Sequence, residues 1–177
     1  MTELACLSAT DLLSGYRRKA FSPVEVAKAV LESAAQKNCR LLLPVDHVIA
    51  KEMRKGTEVK ICGIRETPDD WMGLDIGPAT VENYSKELAG ARTIFWNGPM
   101  GVFEITPFER GTLSLAYAIA EATKRGATSV VGGGDSVAAL HKAGVSEHIT
   151  HISTGGGASL ELLGGRTLPG IEALSNH

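Results

Sequence analysis

Cysteine is scarce in this sequence of 177 residues, and the three present, Cys6, Cys39 and Cys62, show no C-x-x-C spacing. An odd, scattered set supports neither a disulfide framework nor a zinc site and reads as free thiols in a reducing compartment. No uncharged apolar run reaches the roughly 18–20 residues of a membrane span. The opening residues lack the basic n-region and apolar core of a signal peptide. Excess charge of either sign is missing too. Lys and Arg number 18 against 20 Asp and Glu, a net charge of −2, so the basic face of a dedicated nucleic-acid binder is not expected. These absences predict a cytoplasmic protein with no nucleic-acid and no membrane partner. Glycine is abundant instead: 20 residues, about 11% against an average near 7%. Such a surplus points to backbone that approaches something closely.

Residues 8–37 read as helical. Ser22-Pro23-Val24-Glu25 has the form of a capping box with proline at the first helical position, and Val26, Ala29, Val30 and Ala34 follow at helical spacing. Arg17-Arg18-Lys19 is read as a solvated helix end, where positive charge suits the dipole. From Arg40 the pattern changes. Leu41-Leu42-Leu43, stopped by Pro44, reads as a strand buried on both faces of a parallel sheet. Further strands are expected at Glu58–Cys62, Met72–Ile76, Arg92–Trp96, Ser129–Val131 and Ile149–Ser153. Helices are expected after Gly77-Pro78 through Leu88, and at Pro107–Lys124, Asp135–Lys142 and Ala158–Leu163. Alternation of strand and helix with short links is the signature of an α/β fold with a parallel sheet. The expected seam lies near Lys37–Arg40, dividing a helical segment, 1–38, from an α/β part, 39–177.

One device occurs twice. Val130-Val131-Gly132-Gly133-Gly134-Asp135-Ser136 and Ile152-Ser153-Thr154-Gly155-Gly156-Gly157-Ala158-Ser159 are both strand, triple glycine, helix. Right-handed crossovers would put both loops at the carboxyl edge of one sheet. Helix N-termini there offer free amides to an anion, and glycines remove the Cβ that would keep phosphate away. Asp135 beside a phosphate requires a cation between them, which implies Mg²⁺. The plainer alternative is that Asp135 or Ser136 caps a helix. Neither loop is a Walker A or a G-x-G-x-x-G, so motif logic stops at a nucleotide or phosphosugar with Mg²⁺. A third loop, Trp96-Asn97-Gly98-Pro99-Met100-Gly101-Val102-Phe103-Glu104, adds an amide, apolar groups and a carboxylate, the mix found around a base and ribose. His148 and His151 straddle a strand start and face opposite ways, which argues against a shared metal. Ser153 and Ser159 have no evident His or Asp partner for a hydrolase triad.

Residues from about 40 to 176 resemble the carboxyl-terminal part of the phosphoglycerate kinase family. The resemblance is carried by Leu42–Asp46, Asp70–Pro78, Trp96–Glu104, the two triple-glycine stretches and Leu168–Asn176. It implies a three-layer, Rossmann-like parallel sheet and a site for ATP or ADP with Mg²⁺. Asn97 and Glu104 would lie near the nucleoside, Glu104 on the ribose. Gly133, Gly134, Asp135 and Ser136 would surround the phosphates, with Asp135 on the metal. Gly155, Gly156 and Gly157 would begin the helix aimed at the transferred phosphoryl group. No residues match the family's amino-terminal domain, which holds 3-phosphoglycerate, or the lysine-bearing start of its nucleotide domain. Neither Lys28 nor Lys37 can be given the role of those lysines. Residues 7–36 weakly resemble the opening helices of amidase-signature enzymes. A fusion, a truncated frame or a chimera would each look like this, inactive alone, with 3-phosphoglycerate bound only when the missing domain is supplied. In the family's strand order, Leu41–Leu43 would stand apart from the strand at Arg92–Trp96, and exposed sheet edges would favour self-association.

Overall fold

The computed structural model describes residues 4–153 and 155–174. It divides into two compact units, Met1–Leu43 and Pro44–His177. In the first, a 3-10 turn (Leu4–Cys6) precedes helices α1 (Ala9–Arg17) and α2 (Pro23–Gln36). Ser8 caps α1 by accepting from the Asp11 amide at 3.2 Å. The capping box of α2 closes both ways: the Ser22 amide donates to Glu25 (2.8 Å) and the Glu25 amide to the Ser22 hydroxyl (3.2 Å). The turn between the helices is fixed by the Phe21 ring, which lies so close over Gly15 that any Cβ there would collide with it.

The second unit holds two sheets. Strands β1 (Asp46–Ala50), β2 (Lys60–Gly63) and β3 (Met72–Ile76) form an antiparallel sheet in the order β2-β1-β3. Strands β4 (Thr93–Trp96), β5 (Thr128–Gly132) and β6 (His151–Ser153) form a parallel sheet in that order. Helices α3 (Pro78–Gly90), α4 (Arg110–Lys124), α5 (Gly134–Ala143), α6 (Gly156–Leu163) and α7 (Pro169–Leu174) complete it. The α/β class expected from the alternation is therefore present. The main core joins Ile94 and Trp96 of β4 and Val131 of β5 to Ala116, Ile119 and Ala120 of α4 and Leu140 of α5. Among the described residues, no helix is long and apolar enough to cross a membrane.

One expected strand is absent. Leu41, Leu42 and Leu43 lie outside any sheet and are 45%, 44% and 64% exposed. A strand buried on both faces needs neighbours for its amides and carbonyls. The ladder instead starts at Asp46, where β1 has a partner on each side. Met72–Ile76, expected among parallel strands, pairs antiparallel with β1.

Two buried aspartates on strands cap helices that have no local capping side chain. Asp46 accepts from the amides of Ala79 (3.0 Å) and Thr80 (2.8 Å) and from the Thr80 hydroxyl (2.5 Å) at the head of α3. Burial pushes the Asp46 carboxyl up, but the Thr80 hydroxyl and these amides together hold it below its ordinary value. Asp75 does the corresponding work for α4, accepting from the Gly111 amide at 2.7 Å.

Candidate functional site

Parallel pairing brings three loops to one edge. Trp96 lies beside Val131 and Gly132 beside Ser153, so the chain leaves β4, β5 and β6 at nearly the same level. The two glycine loops then touch backbone to backbone. A Cβ on Gly156 would lie 2.9 Å from both the Cα and N of Gly133 and 3.0 Å from Asn97 Oδ1. Gly133 adopts φ +93°, where a side chain is strained, and a Cβ there would meet Asn97 Oδ1 at 2.7 Å. Asn97, expected near a nucleoside, thus stands against the point where the glycine loops meet. The contact is anchored by the Gly133 amide donating to the Ser153 carbonyl at 3.2 Å.

From this junction α5 and α6 run away with their N-termini at the cradle, and neither has a side-chain cap on its first amides. Gly134 and Gly157 face open space. Asp135 is exposed in the first turn of α5. Ser136 is buried, and its hydroxyl oxygen accepts the Gly98 amide at 2.7 Å. It is a bridge between the β4 and β5 loops, with its proton and one further lone pair still available. Thr154 lies outside the described residues. Ser153 accepts from the Gly155 amide (3.2 Å) and Ser159 donates to the Gly155 carbonyl (3.0 Å), so both hydroxyls serve the loop. His148 ends a 3-10 turn (Ser146–His148) and His151 opens β6. Among the described residues no three His, Cys, Asp or Glu side chains converge as a metal cage.

The loop after β4 is held along its length. The Trp96 indole donates to the Gly98 carbonyl (2.7 Å). The Met100 and Gly101 amides donate to the Thr112 hydroxyl at 3.1 and 3.3 Å, and the Val102 amide to the Leu74 carbonyl at 2.9 Å. Lys142 on α5 donates to the Phe103 carbonyl (2.6 Å) and pairs with Glu109 (2.5 Å). The Lys142 ammonium, working against partial burial, holds the Glu109 carboxyl below its usual range. Glu104 itself is exposed. Between this loop and β3 opens a cleft of about 370 Å³ whose walls include Gly73, Leu74, Pro99, Met100, Gly101 and Val102. Sequence reasoning missed the cleft, because it is made by three stretches, at 44–47, 73–76 and 99–102, that only the fold brings together. It also missed Thr112, Lys142 and Asp75, whose work is done at long range. A signal existed for Asp75 alone, an acid set between the apolar Leu74 and Ile76.

A family model described as phosphoglycerate kinase matches residues 8–166. The match takes in α1 and α2, the stretch expected from its sequence to resemble, weakly, the opening helices of amidase-signature enzymes. The chain is 56% identical over 153 residues to the phosphoglycerate kinase of Prosthecochloris aestuarii, covering 86% of this chain and 38% of that protein. With the enzyme of Thermosipho africanus the identity is 52% over 154 residues, with the same coverages. The solved structure of phosphoglycerate kinase from Coxiella burnetii superposes with a TM-score of 0.76 at 42% identity, over 85% of this chain and 39% of that one. The phosphoglycerate kinase of Pyrococcus horikoshii does so with a TM-score of 0.70 at 34% identity, over 93% and 39%. The chain spans less than two fifths of the length of the relatives it matches.

Proposed function

The chain belongs to the phosphoglycerate kinase family, and we propose that it is the nucleotide-binding part of a cytoplasmic glycolytic phosphotransferase. The reaction is phosphoryl transfer between ATP and 3-phosphoglycerate, giving ADP and 1,3-bisphosphoglycerate. The observation that carries this reading is the junction of Gly133 and Gly156, where two uncapped helix heads open on one edge. Amides at the heads of α5 and α6 donate to phosphate oxygens, and the dipoles of both helices favour the charge. Gly155, Gly156 and Gly157 begin the helix aimed at the phosphoryl group that moves. The cleft beside Met100 takes the base, and Glu104 accepts from the ribose hydroxyls.

Mg²⁺ fits the donor set. Asp135 is an exposed carboxylate at the head of α5, and among the described residues no cage of His, Cys, Asp or Glu side chains surrounds it. A cation held by one protein carboxylate and the nucleotide's own phosphates is the ordinary mode of Mg²⁺. When bound it supplies neutralisation of phosphate charge. Ser136 and Asn97 keep the loops in register, and the apolar cleft excludes water from the base.

Catalysis in this reaction is positioning plus charge neutralisation, so both substrates must be held together. The chain has no set of residues matched to 3-phosphoglycerate, and that substrate joins only when the remainder of such an enzyme is supplied. The 177-residue polypeptide therefore binds Mg-nucleotide weakly and shows no turnover. Calorimetry with ADP, with and without Mg²⁺, is paired with a coupled assay using ATP and 3-phosphoglycerate. Asp135→Ala is expected to reduce the Mg²⁺ dependence of binding more than Glu104→Ala does. Equal ADP affinity with and without Mg²⁺ overturns the site, and turnover that Asp135→Ala abolishes overturns the silence.

A further inference from the structure

Asp75 lies outside the phosphate cradle; it caps α4, borders the cleft between β3 and the loop after β4, and touches three elements at once. It is 4% exposed. One carboxylate oxygen accepts from its neighbour's amide, Ile76, at 2.9 Å, and the other from Gly111 in the first turn of α4 at 2.7 Å. The carboxylate also fills the space left by Gly101. A Cβ on Gly101 or on Gly111 would collide with Asp75 Oδ1, and one on Gly101 would also stand 2.7 Å from the Leu74 carbonyl. That carbonyl accepts the Val102 amide. Thr112, next along α4 from Gly111, accepts from Met100 and Gly101. The stretch 100–102 is thus gripped between β3 and the head of α4, and Asp75 sets the spacing of the two.

We infer that Asp75 is a positioning residue for the nucleoside: by fixing the head of α4 against β3 it sets where residues 98–104, and with them the wall of the base cleft and Glu104, run. This inference rests on the nucleotide reading above. Among the described residues, Glu109 at the entry to α4 acts on the carboxyl through its charge, and His47 of β1 lines the same cleft as Asp75. Burial, against the two amides and aided by the Glu109 charge, pushes the Asp75 carboxyl up to about 6. Protonation there removes an acceptor that Gly111 or Ile76 needs. In Asp75→Asn the volume is kept, but the NH₂ group must face one of two N–H donors.

The test compares two ligands that share the phosphate cradle and differ in the nucleoside, MgADP and magnesium pyrophosphate. In Asp75→Asn, MgADP affinity is expected to fall about tenfold, the effect of one lost charged hydrogen bond, while pyrophosphate affinity stays within about twofold. Equal loss of both overturns the inference and makes Asp75 a structural cap only. No loss of MgADP affinity overturns it as well. Gly101→Ala keeps the carboxylate but displaces the loop, and is expected to show the same split if Asp75→Asn does not fold. A second readout needs no ligand. The Trp96 indole N–H, bonded to Gly98 in the same loop, is followed by NMR in a Trp71→Phe background. Its resonance is expected to titrate with a midpoint near pH 6 in the parent and to be flat in Asp75→Asn. If the parent binds neither ligand, the nucleotide reading fails, and an indole signal indifferent to Asp75 then refutes the positioning role separately.

Discussion

Gly156→Ala tests whether the two glycine loops are one structure. The added methyl would sit 2.9 Å from the Cα and N of Gly133 and 3.0 Å from Asn97 Oδ1, where carbon atoms normally rest about 3.5–4.0 Å apart. Gly133 Cα and N are backbone atoms and cannot swing aside, so the loops must part by about half an ångström or more. Overpacking of this kind costs about 1–3 kcal/mol. Alanine returns part of it, because glycine is the poorer helix former by up to about 1 kcal/mol. A net loss of about 1–2 kcal/mol remains, which lowers the urea midpoint by roughly 0.5–1 M at an ordinary m-value. Gly157→Ala is the matched control. It lies one residue on in the same first turn, and its Cβ meets nothing within 4 Å, so its midpoint should hold or rise slightly. Urea unfolding followed by circular dichroism, with magnesium pyrophosphate titrations on the same samples, reads both consequences. If Gly156→Ala matches Gly157→Ala in midpoint and affinity, the loops do not meet as described and the cradle argument fails.

Two further outcomes are expected. With its carboxyl raised to about 6 in the fold, Asp75 adds stability that is full below about pH 4 and lost as pH rises through 6; the loss is about 2 kcal/mol after discounting for screening. Asp75→Asn removes this dependence, so parent and variant urea midpoints taken at pH 4.5 and 7 should change by different amounts, and parallel changes refute the assignment. In hydrogen exchange the slowest amides are expected in Ile94–Trp96 and Ser129–Val131, whose strands lie at the centre of the main core, and Leu41–Leu43 should exchange fast; slow exchange at those leucines would mean they had found a ladder.

The parallel half of the fold was legible because its signals are local. An apolar run ending in glycines marks both the end of a strand and the head of a helix, and β5 and β6 with their helices follow that pattern. In the antiparallel half, β2 and β3 were legible as strands near 58–62 and 72–76, but β1 and the antiparallel pairing were not. Leu41–Leu43 is more apolar than Asp46–Ala50, and hydropathy alone favours the first as a strand. What decides is the supply of partners: β1 has β2 and β3 to bond, and its Asp46 has a helix head to cap. Helix α4 starts at Arg110, later than Pro107, because the chain first makes a turn in which Phe108 bonds back to Ile105. For the site, the glycine-rich strand ends and helix heads could be read from spacing, but the bridge made by Ser136 could not. Its place after Gly133-Gly134-Asp135 suggests a phosphate contact, whereas its oxygen serves the loop of a different strand 38 residues away.

On the proposed reading, a separation between holding a nucleotide and using it would have a physical basis in this chain. The glycine contact, the Ser136 bridge, the Asp75 grip and the Lys142 tie all lie between residues 74 and 157, in one compact unit. The cradle is therefore preorganised by its own contacts. Each exposed amide returns only about 0.5–1.5 kcal/mol on exchanging water for a phosphate oxygen, so affinity from the cradle alone is modest. Turnover asks for a different quantity, the orientation of a second substrate in line with the first. On the proposed reading, a cradle acting without that second substrate forfeits an effective molarity on the order of 10⁵ M or more. No tightening of the nucleotide cradle replaces that factor, since equal binding of ground and transition states leaves the chemical step unchanged.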